Sequence, residues 1–361
     1  MKLLVLAQTP PPLHGQSRAV ASLLAALHRE PDFSVRHVNL PLSRDLADVG
    51  RWRPGKLAAL WRASREARAL LHREGRMVLY YVPAPGKRGA LYRDWLVMAR
   101  CRRWCSALVL HWHAVGLGAW LRDCATPPER WITRRLLGQA DLAIVLGEAV
   151  RSDADELLPR RCVVVRNGVP DSATGAPRTR PAHYPLEVLF LGLACREKGL
   201  FDTLEGVTRA NQQGLRCRLT VIGTFAEQVE AEEFGRRAAI LGDTVQYLAN
   251  TSDAERNQRL LDADVLCLPT YYPHEGRPAV LLEAWVHDLP VITTRWRAIP
   301  EDLPRRHVHL VAPRRPDEIA AALAAVQVEG PPNGSLRRHF LEYFTEARHH
   351  AALIAAVRSL G

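Results

Sequence analysis

Short, nearly unbroken apolar runs alternate along the chain with stretches of helical spacing. In the first half they are Leu3–Ala7, Val35–Leu40, Met77–Val82, Ala107–His113, Leu142–Gly147 and Cys162–Arg166. A strand covered by helices on both faces has no polar side to show, so such runs predict a parallel sheet rather than a half-exposed antiparallel one. From Pro170 to Pro185 the rhythm stops: four prolines and a glycine with no apolar period predict a linker. The alternation restarts with Val188–Gly192, Leu219–Gly223, Val245–Leu248, Asp264–Pro269, Leu289–Thr294 and His307–Ala312. The expected fold class is therefore α/β, with two doubly wound parallel-sheet domains facing across a cleft. The expected boundaries are 1–170, a linker 171–185, a second domain 186–335, and a C-terminal helix 336–361 that packs back on the first domain. That helix is amphipathic through Phe340, Tyr343, Phe344, Ala351 and Ile354.

In open α/β sheets ligands bind outside the carboxyl ends of the strands, so chemistry is sought there. The densest cluster lies between Thr270 and Pro290, running from a strand through a glycine turn into a helix at Pro278. A helix N-terminus offers unsatisfied amides and suits an anion such as a diphosphate. Glu275 precedes that helix and Glu283 follows about a turn and a half later, where ionised carboxylates accept charge-assisted bonds from sugar hydroxyls. Phosphate-binding amides beside diol-binding glutamates read as a nucleotide-sugar site. The plain alternative is that Glu275 caps the helix and Glu283 is a solvated helix residue.

Glu275, seven intervening residues and Glu283, followed by Leu289-Pro-Val-Ile-Thr-Thr294, resemble the E-x7-E signature of glycosyltransferase family 4, retaining enzymes of the GT-B fold. Four further segments match in the same order: Pro10-Pro-Pro-Leu-His-Gly15, His111-Trp-His113, Arg166-Asn-Gly-Val169, and Phe190-Leu-Gly192 with Lys198-Gly199. The resemblance implies that Lys198 and Arg196 clamp the departing diphosphate, that Glu283 holds the ribose and Glu275 faces the donor sugar. It implies that His113 touches that sugar near the reacting carbon. Gly15, Gly276, Arg277 and Pro278 complete the donor-binding set. The chain departs from the family where Leu193 stands in place of an arginine, where Asp288 replaces a helix-terminating glycine, and where Arg277, positioned to read an acidic sugar or to sit in solvent, replaces an apolar or amide residue. Taken alone, His113 reads as a structural histidine, Gly15 as a turn and Lys198 as a helix entry.

Length and charge narrow the picture. The 361 residues correspond to about two domains, and 47% hydrophobic content excludes disordered and fibrous classes. The net charge of +11 is localised: residues 51–105 hold 14 Lys/Arg against Glu66, Glu74 and Asp94, and elsewhere bases and acids balance. In that segment, read as helices 54–76 and 88–105, Arg62, Arg65, Arg68, Arg73, Arg76, Arg100, Arg102 and Arg103 interleave with Trp52, Leu57, Leu60, Trp61, Leu70, Leu71, Trp95 and Trp104. Such a mixture suits an anionic membrane surface as a partner, and with it a lipid-linked or cell-envelope glycan acceptor; an ordinary solvated face is the alternative. Nucleic acid is not an expected partner, because no recognition motif accompanies the charge. Seven irregularly spaced cysteines argue against a disulfide framework and for a reducing compartment. The N-terminal apolar run is too short for a signal segment, so the cytoplasm, at the inner face of the plasma membrane, is expected. Cys101, Cys105, His111, His113 and Cys124 do not match a structural zinc spacing. Asp153-Ala-Asp155 reads as helix surface, so neither metal nor other cofactor is expected, the nucleotide sugar being a substrate. The competing readings are a sugar-nucleotide epimerase or a phosphorylase on the same fold, or a catalytically silent sugar-nucleotide or membrane-binding protein.

Overall fold

The computed structural model describes residues 1–11, 15–40, 54–173, 185–249 and 251–361. Trp52, the Pro12-Leu-His14 part of the first loop and most of the expected linker lie outside the described residues. The chain divides into two units, Met1–Arg166 with His349–Gly361, and Asn167–Arg348.

The first unit carries β1 (Lys2–Ala7), β2 (Ser34–Asn39), β3 (Val78–Tyr81), β4 (Ala107–His111), β5 (Leu142–Val145) and β6 (Cys162–Val164), all parallel, in the order β2-β1-β3-β4-β5-β6. The second carries β7 (Leu186–Leu191), β8 (Cys217–Ile222), β9 (Val245–Leu248), β10 (Val265–Leu268), β11 (Val291–Thr294) and β12 (Val308–Val311), again parallel, in the order β12-β11-β10-β7-β8-β9. All twelve strands fall within or beside the apolar runs. The central ones, β3, β4, β5, β10 and β11, are buried at every position, as strands sandwiched between helices must be.

The two sheets are not copies. The second has the dinucleotide-fold order, in which the strand sequence reverses between β7 and β10; the first reverses between β1 and β3. Crossovers leave a reversal point toward opposite faces, and a crevice opens at the carboxyl ends of the two strands that flank it.

The unit boundary is four residues earlier than expected. Val169 is buried in the second core, bridges Thr345, and exchanges hydrogen bonds with Phe344 and Glu346. The expected single helix 336–361 is two helices. Ser335–Tyr343 belongs to the second unit, where Leu336 and Phe340 are buried. Glu346–Arg358 starts where the Thr345 hydroxyl accepts the Arg348 N–H, and Leu353, Ile354 and Val357 join the first unit's core. Residues 344–345 are diverted from the helix by their pairing with Val169.

Asp288 shows why the family's glycine is dispensable here. It takes the left-handed conformation, φ 54°, and its carboxylate accepts the N–H groups of Gly334 (2.6 Å), Leu336 (3.0 Å) and Arg337 (3.1 Å), capping the Ser335–Tyr343 helix. Asp153 is corrected more sharply: it is buried, not helix surface, and its two oxygens accept from Gly116 (2.6 Å) and Gly118 (2.8 Å).

In the basic segment, helix Pro54–Glu74 buries Leu60, Ala63, Ser64, Ala67 and Leu71 and leaves Leu57 and Trp61 exposed, the Arg100 guanidinium lying 3.3 Å from the Trp61 ring centroid. No helix among the described residues is long and apolar enough to cross a membrane.

Asp288→Ala removes three buried acceptor bonds and places a residue ill suited to positive φ, so it is expected to destabilise the second unit by about 2–3 kcal/mol, read as a lower urea midpoint. Asp288→Asn, which tolerates the conformation and keeps an acceptor, should lose about half of that. An unchanged midpoint in the Ala variant would show that the cap is idle.

Candidate active site

The β7–β10 reversal point brings together two loops that are far apart in sequence. After β7 the chain makes a single tight turn, Arg196–Lys198, closed by Gly199 at φ 80°. A Cβ on Gly199 would overlap the carbonyl of Pro269, the residue that follows β10, so only glycine allows the two loops this close. The approach is fixed by main-chain bonding, with the Tyr271 N–H donating to the Glu197 carbonyl at 2.7 Å.

Lys198 and Glu275, expected at one site from separate motifs, meet in an ion pair in which the ammonium contacts Oε2. Both side chains are largely buried, at 16% and 11% exposure, so the pair is shielded from solvent screening. The Lys198 ammonium lies 5.3 Å from the Tyr272 ring centroid, and the Thr270 hydroxyl reaches the same Glu275 oxygen at 3.4 Å. Beneath them the Thr294 hydroxyl donates to the Thr270 carbonyl and the Trp296 indole N–H to that of Tyr272 at 3.0 Å, so the floor of the site is anchored to the loop after β11.

Gly276, Arg277 and Pro278 are buried and lead into helix Ala279–Val286. Pro278 is the residue before the helix, with extended ψ of 123°, rather than its first turn, and no side chain caps the helix. The first amides of that helix are thus donors that need a partner from outside it, and the helix dipole favours an anion there. Glu283 lies farther along the same helix, its Oε2 ion-paired with Arg256 from helix Asp253–Asp262. That helix begins with the expected Ser252–Glu255 capping box.

Two arginines of the expected site take partners that the sequence did not announce. The Arg277 guanidinium does not sit in solvent. It is buried and donates to the carbonyls of Ala298 (3.2 Å) and Glu301 (2.9 Å) and to Asp302 (3.5 Å), tying the site's turn to the segment after β11. Arg196 is not beside Lys198. Its guanidinium pairs with Glu233 at 2.5 Å over the Phe201 ring, and its N–H donates to Glu230 at 2.8 Å, both acids lying on helix Gln228–Leu241. Leu193, where the family carries an arginine, is exposed. Arg256, Thr270 and Tyr272 were not assigned roles from sequence; Arg256 meets a partner 27 residues away, which no local pattern announces.

In the first unit, His113 lies just past β4, its ring centroid 4.2 Å from that of His111, whose Nδ1 bonds the buried Tyr80 hydroxyl. Burial, reinforced by the neighbouring His349, pushes the His113 pKa down to about 3, and His111 is held well below its usual value by burial first and then by His113 and His349. Both rings are therefore neutral near pH 7. Gly15 opens helix Gly15–Leu27, and a Cβ there would meet no protein atom. No group of three metal-ligating side chains suited to a metal ion occurs among the described residues.

Residues 185–327, which contain the whole Lys198–Glu275–Glu283 arrangement, match the family model described as Glycosyl transferases group 1. The matched segment lies wholly within the second unit. The chain is 24% identical over 244 residues to the glycogen synthase of Mycobacterium tuberculosis (strain CDC 1551 / Oshkosh), a match covering 64% of this chain and 58% of that protein's length. The sucrose-phosphate synthase of Thermosynechococcus elongatus superposes with a TM-score of 0.75 at 16% identity, covering 100% of this chain and 99% of the other. HepE of Anabaena in complex with UDP-glucose gives 0.69 at 16% identity, covering 99% and 100%. These superpositions establish the GT-B fold. Within the second unit the match covers the loops that carry Lys198, Glu275 and Arg277, whereas the first unit lies outside it.

The depressed His113 pKa has a thermodynamic consequence. Between about pH 6.5 and 3 the unfolded chain holds this proton and the folded chain does not, so stability falls as pH falls through that window. His113→Gln removes the titration and should flatten the stability–pH slope there by up to about 1.4 kcal/mol per pH unit. Urea titrations at pH 6.5, 5.5 and 4.5 measure it, and parallel slopes for both proteins would contradict the burial argument.

Proposed function

We propose that this chain is a retaining glycosyltransferase of family 4 that moves a sugar from a nucleotide-sugar donor to an acceptor hydroxyl without a metal ion. The observation that carries the reading is the Lys198–Glu275 pair in the loops at the β7–β10 reversal point, four residues ahead of a helix with no side-chain cap, within the segment that matches the Glycosyl transferases group 1 model. The UDP-glucose complex of HepE supports a nucleotide sugar as the donor class.

In this mechanism the donor's diphosphate lies against the first amides of helix Ala279–Val286, Glu283 accepts from the ribose hydroxyls and Glu275 from the donor sugar. Lys198 exchanges part of its contact with Glu275 for the diphosphate oxygens, whose charge grows as the bond from the anomeric carbon to the phosphate oxygen breaks. The acceptor oxygen bonds to that carbon from the face the diphosphate leaves, and its proton passes to the departing phosphate oxygen, so configuration is retained. Ammonium and helix amides stabilise the leaving charge, which is the service a metal ion would otherwise supply. His113, neutral near pH 7, takes part as a hydrogen-bonding group rather than a charge, and the open space at Gly15 suits close backbone approach of a ligand. Arg196, held at Glu230 and Glu233, has no part in this mechanism.

The acceptor in this reading is a lipid-linked or envelope glycan met at the cytoplasmic face of an anionic membrane. Exposed Leu57 and Trp61 among the arginines of residues 51–105 support it.

A thermal-shift screen of UDP-, GDP-, ADP- and dTDP-sugars should identify one stabilising donor; none would sink the reading. With that donor, Glu283→Ala should raise the dissociation constant and Lys198→Ala should lower kcat, each roughly ten- to a hundredfold for one charge-assisted bond of about 1.5–3 kcal/mol. Flotation with phosphatidylserine-containing vesicles should show salt-sensitive binding that Trp61→Ala weakens, and absence of binding at low salt would remove the membrane from the proposal.

A further inference from the structure

We propose that Arg256 is a positioning residue that sets which oxygen of Glu283 meets the donor's ribose, and through it the discrimination between ribose and deoxyribose. The inference rests on the nucleotide-sugar reading and deepens it.

Glu283 projects from helix Ala279–Val286, which follows β10, whereas Arg256 projects from helix Asp253–Asp262, which follows β9. The Arg256 Nη2 bonds Oε2 of Glu283, and among the described residues Oε1 meets no donor. The two side chains are 23% and 22% exposed, sheltered enough for the pair to hold its geometry and open enough for Oε1 to receive a ligand. A lone glutamate on a helix has three rotatable side-chain bonds, and ordering it on binding costs rotamer entropy. A guanidinium is a rigid, permanently charged group, so pairing to one carboxylate oxygen restricts the rotation of the carboxylate and biases the direction of the other oxygen before any ligand arrives. The base of that side chain is itself fixed, since Arg256 lies in the first turn of a helix whose start is locked by the reciprocal Ser252–Glu255 bonds.

An acceptor aimed in advance at one hydroxyl discriminates strongly. A ligand lacking that hydroxyl leaves a sheltered carboxylate oxygen desolvated and unpaired, while a freely rotating carboxylate turns to water and loses little. Arg256 thus acts on the selectivity of the site more than on its total affinity.

The test is calorimetric titration of the intact chain with UDP, GDP and ADP and with the 2′-deoxy and 3′-deoxy form of whichever binds. The wild type is expected to bind the ribonucleotide roughly ten- to a hundredfold more tightly than at least one deoxy form, and Arg256→Ala to reduce that ratio to about threefold or less. Arg256→Lys, a point charge without the fork, should lie between them. A purely structural role weakens all the nucleotides by one common factor, so a ratio unchanged in Arg256→Ala overturns the proposal whatever the absolute affinities, as does a wild type that shows no ribose preference. Failure of the wild type to bind any of the three, or any sugar-linked form of them, overturns the functional reading itself and is recognisable as such. Arg256→Gln provides a second uncharged variant of similar volume, and it must reproduce the Ala result for the proposal to stand.

Discussion

Everything proposed for the second unit depends on how closely the loop after β7 approaches the loop after β10. The two strands are neighbours in the sheet, with Val188 and Leu189 registered on Val265 and Leu266, so their loops emerge side by side. Gly199 turns into the left-handed region against Pro269, and this contact puts a lysine and a glutamate nearly 80 residues apart into one partly buried ion pair. Without the approach Lys198 is a solvated cation and Glu275 a loop carboxylate, and neither has a reason to be sheltered.

Charge is managed around this contact in a consistent way. Lys198 answers Glu275, Arg256 answers Glu283, and the arginine between them in sequence, Arg277, is turned inward onto carbonyls and Asp302. A buried guanidinium has to be supplied with acceptors, and here Nη2 finds them in the 298–302 segment, which makes Arg277 a tether for the turn. Arg196, half exposed, turns its guanidinium onto Glu233, while its backbone N–H donates to Glu230. The chain is rich in arginine, and most of the arginines near the site are occupied in holding it together.

In the first unit uncharged histidines lie inside and a run of arginines decorates the helices of residues 54–101. His111 and His113 are imidazoles held without charge beside the Tyr80 hydroxyl, and desolvation keeps both rings unprotonated below the usual histidine range. On the helices of residues 54–101, Arg68 stacks on Trp104 and Arg100 on Trp61, while Arg93 turns inward to the buried Asp94. Arginine over indole lets an apolar ring remain at the surface with one face covered.

The positions along the chain of the twelve described strands were legible in the apolar runs, because a strand covered on both faces must be apolar at nearly every position. So were the capping box at Ser252 and the grouping of Glu275, Gly276 and Glu283, because caps and strand–turn–helix units are local. The sequence by itself therefore determined two parallel α/β sheets and a strand–turn–helix segment carrying two spaced carboxylates. What it did not determine was decided by partners distant along the chain. The two sheets thread in different orders; Val169 draws residues 344–345 out of a helix that their amphipathic pattern would have continued; Asp288 serves as a cap for a helix that begins 47 residues later; Arg256, Arg277 and Arg196 each settle on acceptors from other elements. Hydrophobic periodicity encodes which face of an element is covered but not what covers it, and a charged side chain takes whichever counter-charge the folded chain brings within reach, so those choices belong to the tertiary structure.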